Sequence, residues 1–138
     1  MAVEGGWFRD EAFTYSTANG AASQYYFVRS TAQFTATLCV GATGGSNRPV
    51  GVLQNDPTGG QGATVRMIPQ GGYSKVSAGG TITLGDWLTC STGGQAITTT
   101  TTGTYIIGYA VTASTAANQI ITVDLGHAPV FYTAGASA

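Results

Sequence analysis

Phe34-Thr35-Ala36-Thr37-Leu38-Cys39-Val40 decides the fold. Successive side chains of a strand point to opposite faces, so residues 34, 36, 38 and 40 give one apolar face, and Thr35, Thr37 and Cys39 a mostly hydroxylated one. The same period returns further along, where Val65 and Met67 oppose Thr64, Arg66 and Ile68. Near the end, Ile121, Val123 and Leu125 oppose Ile120, Thr122 and Asp124. No helical period runs through any part of the chain. Strands are predicted over 24–29, 34–40, 50–54, 63–69, 73–76, 87–90, 104–112 and 119–125. Eight short strands at this spacing predict an all-β fold, a small β-barrel or sandwich.

The breaks between the runs carry turn chemistry. Asn55-Asp56-Pro57 followed by Gly59-Gly60 suits a hairpin, and Gly71-Gly72, Gly79-Gly80 and Gly93-Gly94 suit positions of positive φ. Gly85-Asp86 fits a tight turn that feeds Trp87, read here as a buried anchor, into the core. The run at 98–102 is bracketed by Ile97 and Tyr105 and reads as an exposed loop with strand ends.

Three regions follow: an irregular N-terminal arm at 1–23, a β domain at 24–125 and a C-terminal tail at 126–138. The arm holds Trp7, Phe8, Phe13 and Tyr15 without strict alternation, and such apolar area needs a surface to cover, on its own domain or on a neighbour. These four are the candidate contacts with a partner surface or a neighbouring subunit. The tail ends in small residues that fray unless a partner holds them, while Phe131 and Tyr132 point to a held first half.

The whole chain has 138 residues, enough for one folding unit. Only 8% are Asp, Glu, Lys or Arg, against roughly a quarter in an ordinary soluble domain. Threonine, glycine, alanine and serine cover the surface instead. Such a surface docks without a large desolvation cost, although the same residues also suit strands and turns. A net charge of −1 with no cluster of Lys or Arg argues against nucleic acid. No stretch approaches the length of a membrane span, and the N-terminus carries no secretory or transit pattern, so synthesis in the cytoplasm is expected. Cys39 and Cys90 are expected as reduced, buried thiols, and the sequence does not say whether they meet.

The residues for catalysis are thin. His127 is the single histidine, and although Asp124 lies three residues before it, no Gly-x-Ser-x-Gly motif accompanies them. Cys39, Cys90 and His127 are far apart without a Cys-x-x-Cys pair, so no metal is expected. Gly44-Gly45 and Gly59-Gly60 lack the following Lys-Ser or Lys-Thr of a phosphate cradle. Neither catalytic residues nor a cofactor are assigned, and the chain is read as non-enzymatic.

An ordered series of segments carries a resemblance: Pro-Val-Gly-Val-Leu-Gln-Asn-Asp at 49–56, Val-Ser-Ala-Gly-Gly-Thr-Ile-Thr-Leu-Gly-Asp-Trp-Leu at 76–88, Gly-Gly-Gln-Ala at 93–96 and Ile-Gly-Tyr-Ala-Val at 107–111. Together with the strand at 119–125, this series resembles the capsid cement, or decoration, proteins of tailed bacteriophages, over about two-thirds of the chain. The resemblance implies a β-barrel-like body, commonly a homotrimer, bound to the outer surface of a shell of major capsid protein and stabilising the head. It implies no catalytic residue and leaves the aromatic arm unmatched. The competing reading is a β-rich receptor- or carbohydrate-binding module of a phage tail or fibre, which would present a solvent-facing aromatic platform.

Overall fold

The computed structural model describes residues 10–16, 24–41, 48–68, 72–99 and 104–126, with the backbone of 130 and 131. Every regular element among them is a strand. Five strands close into a barrel: β1 (Asp10–Tyr15), β2 (Phe27–Ala32), β3 (Thr35–Leu38), β4 (Pro49–Leu53) and β5 (Gly62–Met67), in the order β1-β3-β2-β4-β5. A second sheet holds β6 (Tyr73–Ser77), β7 (Trp87–Cys90), β8 (Ala96–Thr98), β10 (Gly108–Ala110) and β11 (Ile120–Asp124), in the order β6-β11-β10-β7-β8. A short ladder pairs β9 (Tyr105–Ile106) with β12 (Val130–Phe131).

Two apolar cores result. The barrel interior is filled by Tyr15, Val28, Ala36, Leu53, Ala63 and Val65, with Phe13, Leu38, Val50 and Met67 packed against them. The other core lies between the barrel wall and the second sheet. Phe27, Cys39, Val52 and Ile68 contribute from the barrel side, and Val76, Leu88, Ile107, Ile121, Val123 and Leu125 are among those from the sheet side. In each of the pairs Phe27-Val28, Leu38-Cys39, Val52-Leu53 and Met67-Ile68, one residue belongs to one core and its neighbour to the other. Adjacent strand residues face opposite ways, so these dipeptides make a wall that is apolar on both sides.

Backbone hydrogen bonds tie the two units along that wall. Phe27 N–H donates to the Gly94 carbonyl at 2.8 Å, and Ser77 N–H donates to the Tyr25 carbonyl at 2.9 Å. Gly94 has a φ of 91°, and a Cβ there would lie 3.1 Å from the Phe27 oxygen, so both the turn and the close approach call for glycine. Polar side chains bridge the rim, where Gln54 Nε2 donates to Ser74 Oγ at 3.0 Å.

The architecture departs from the sequence reading in identifiable places. Asp10–Tyr15, inside the expected arm, is a barrel strand: it pairs antiparallel with β5 from Asp10↔Arg66 to Thr14↔Gly62, and parallel with β3 at Thr14↔Thr35 and Tyr15↔Ala36. Its burial does alternate, with Glu11, Phe13 and Tyr15 more covered than Asp10, Ala12 and Thr14, but one acidic residue on each face masks the period. The alternation at 34–40 holds only at its centre. Ala36 and Leu38 face the barrel interior, whereas Phe34 and Val40 are exposed beyond the strand ends and Cys39 enters the inter-sheet core. Ala96–Thr98 forms β8, a strand beyond the eight expected, which takes in the first residue of the run at 98–102. Of the glycine pairs, Gly79-Gly80 lacks positive φ, while Gly60, Gly72, Gly85 and Gly94 have it. Gly85-Asp86 does make a tight turn, closed by Asp86 N–H to the Thr83 carbonyl at 3.0 Å and by Thr83 N–H to Asp86 Oδ2 at 2.9 Å. The turn delivers Leu88 to the core, and leaves Trp87 half-buried on the opposite face.

Two stability outcomes follow from this packing. Tyr15→Ala removes a fully buried ring from the barrel and is expected to cost about 3–5 kcal/mol, read as a lower urea midpoint. Leu88→Ala is expected to cost about 2–5 kcal/mol, and more than Trp87→Ala, because truncation costs follow burial; an equal or larger loss for Trp87→Ala would place the tryptophan in the core after all.

Candidate contact surfaces

The four contact residues expected from the sequence do not form one group. Trp7 and Phe8 lie outside the described residues. Tyr15 is fully buried in the barrel. Phe13 is half-buried, and its ring meets that of Phe34 at 5.8 Å between centroids, tilted by 57°.

Phe34 is the informative residue at this tip. It sits in the β2–β3 connection with a φ of 50° and is 59% exposed. A bulky side chain in the left-handed region is strained, and an exposed ring gains little burial to offset that strain. Thr14 N–H holds the carbonyl of Phe34 at 2.8 Å, so the neighbouring barrel strand fixes the backbone that presents the ring. The sequence placed Phe34 on the buried face, because alternation shows the period of a strand and not where the strand ends.

A second surface lies on the outward face of the second sheet. The registers Tyr73↔Asp124, Asp124↔Tyr109 and Tyr109↔Trp87 run across four neighbouring strands and set these residues in one transverse row. Trp87 and Tyr109 meet edge to face at 5.8 Å, and Tyr73 is 60% exposed. Asp124 anchors the row. Its Oδ1 accepts from the Gly126 N–H at 2.7 Å, and its carboxylate, hydrogen-bonded to the Tyr109 hydroxyl and repelling a phenolate there, holds that phenol above the usual tyrosine range. Only the tertiary pairing of β6, β11, β10 and β7 brings positions 73, 87, 109 and 124 together, so no local motif announces the row.

The two surfaces lie at opposite ends of β1. At the end away from Phe34, Arg66 binds Asp10 through Nε–Oδ1 at 2.9 Å and Nη2–Oδ2 at 3.2 Å, and its Nη1 donates to the Tyr73 carbonyl at 3.0 Å. This half-exposed pair contributes up to about 1 kcal/mol, and its larger effect is to fix the first barrel strand beside the start of the row. Among the described residues no group of three or more His, Cys, Asp or Glu is placed to hold a metal ion. His127 lies outside the described residues.

The family described as phage cement protein matches residues 10–125. The chain belongs to that family. The matched span begins at Asp10, the first residue of β1. Membership makes this cement protein a capsid-associated structural protein of a phage. A search of curated proteins gives no match. Among solved structures, the N base of the head fiber gp8.5 of bacteriophage phi29 is similar at 22% identity, over 86% of this chain and 93% of that one, with a TM-score of 0.65. That likeness supports the shared all-β fold.

Removing the Asp124 charge is expected to return the Tyr109 phenol toward its ordinary value. In a titration followed by tyrosinate absorbance, Asp124→Asn is expected to move one phenol to lower pH. The folded value is raised, so the contribution of this hydrogen bond to stability is intact at neutral pH and is lost only as pH rises through the raised value. Unchanged titration would mean that Asp124 does not set the phenol.

Proposed function

We propose that this cement protein binds the outer surface of the major capsid protein lattice and stabilises the head, acting through contact alone and without catalysis. The observation that supports the reading most is the family match across the barrel and the second sheet. A charge-poor surface with a fixed, exposed aromatic tip is consistent with it, since interface centres are depleted in charge and enriched in aromatic rings. A protein that binds the assembled lattice more tightly than free subunits stabilises the lattice by mass action, and many modest contacts add across a shell. Homotrimer formation, with each copy bridging neighbouring capsid subunits, belongs to the same proposal, as does synthesis in the host cytoplasm before assembly. Phe13 joins Phe34 as a contact residue, and Trp7 and Phe8 remain proposed contacts.

Receptor or carbohydrate binding is the second reading, favoured by the row of Tyr73, Asp124, Tyr109 and Trp87, because aromatic faces with an adjacent carboxylate suit sugar rings and their hydroxyls.

Sedimentation of purified protein with expanded capsids lacking it, and separately with host cells, distinguishes the two. Capsid binding is the expected result, and Phe34→Ala is expected to weaken it about tenfold, as for a contact worth roughly 1.4 kcal/mol, with the melting temperature nearly unchanged. Binding to cells but not to capsids would overturn the cement reading in favour of the receptor reading. Equal capsid binding by Phe34→Ala would place the contact elsewhere.

A further inference from the structure

Cys39 and Cys90 are 51 residues apart in sequence, and their sulfurs lie 2.8 Å apart. They approach from different units, Cys39 from the residue after β3 on the barrel wall and Cys90 from the end of β7 in the second sheet. Both are free thiols, 0% and 3% exposed. Cys90 S–H donates to the Cys39 sulfur, and Cys39 S–H donates to the Gly41 carbonyl at 3.3 Å. Among the described residues the pair is not part of any cluster able to hold a metal.

We propose that Cys39 and Cys90 form an oxidation site that closes to an intramolecular disulfide, covalently joining the barrel to the second sheet, with a peroxide as oxidant. Bonded sulfurs lie at about 2.05 Å, so each side chain has to move by only a fraction of an ångström. Cys39 is the attacking group. The hydrogen bond from Cys90, aided by the nearby Arg29 charge, outweighs burial and holds the Cys39 thiol below its ordinary value, while the same bond pushes Cys90 up.

The chemistry balances in two steps. The Cys39 thiolate attacks one oxygen of hydrogen peroxide, the O–O bond breaks, and Cys39 becomes a sulfenic acid as hydroxide leaves. The Cys90 sulfur then attacks the Cys39 sulfur, the S–O bond breaks, and the Cys90 proton leaves with the hydroxide as water. Overall, two thiols lose two electrons and two protons, and one peroxide becomes two waters. A phage particle released from a cell passes from a reducing to an oxidising medium, so the staple would form after folding, when the two units are already registered. It would act within one copy of the chain, independently of what the outer surfaces bind.

The test uses the full-length protein, reduced or treated with hydrogen peroxide, then unfolded and alkylated with a maleimide. The expected result is loss of both alkylation sites, a mass lower by two hydrogens, and migration as a monomer on a non-reducing gel. Because the bond closes a loop of about 50 residues, the melting temperature is expected to rise by on the order of 10 °C. Cys90→Ala is expected to stop at oxygenated Cys39, with no such rise. Retention of both thiols, separate oxygenation of each, disulfide-linked dimers, or a disulfide that lowers the melting temperature would each overturn the proposal. All of these can be read on the wild-type chain, whatever the folding of the variant.

Discussion

The structure depends on a stretch of barrel wall that is apolar on both sides. Phe27-Val28, Leu38-Cys39, Val52-Leu53 and Met67-Ile68 each send one side chain into the barrel and the next into the core shared with the second sheet. Burying apolar area contributes roughly 25 cal/mol per Å², and here the same short backbone segments bury area on both faces. That matters for a chain of this size, because small domains bury a limited fraction of their surface. It also couples the two units, since loss of packing on one side of the wall exposes side chains that position the other.

Closure of the barrel removes the open edges that its five strands would otherwise present. β1 pairs with both β3 and β5, so the backbone donors and acceptors of those strands are satisfied inside the ring and do not template pairing with other copies. The Asp10–Arg66 pair sits at the seam and extends through Arg66 to Tyr73, where the second sheet begins. The seam, the wall and the aromatic row are therefore one connected arrangement.

What remains outside is a surface with little charge and a few placed aromatic rings. Phe34 is held out at a strained backbone position, and Tyr73, Tyr109 and Trp87 stand in register with one carboxylate. For a protein of the phage cement family, a surface of this kind suits repeated docking on a lattice: weak hydration lowers the cost of contact, and rigid rings lose little conformational freedom on binding.

The sequence by itself determined the all-β class, the positions of most strands and the buried faces of β5 and β11, because these depend on a period of two and on turn residues, which are local. The ordered segments from residue 49 onward also pointed to the cement family. The sequence did not show that 10–15 is a strand, since one acidic residue on each face hides its alternation and its stability comes from partners about 20 and about 50 residues away. It also placed Phe34 inside and Trp87 in the core, because periodicity assigns a face to each residue but does not say which face another layer will cover. Only the tertiary structure decided that the wall is buried twice, that positions 73, 124, 109 and 87 form a row, and that Cys39 meets Cys90. Each of these is a pairing between distant strands, fixed by which surfaces are left to bury once the local elements have formed.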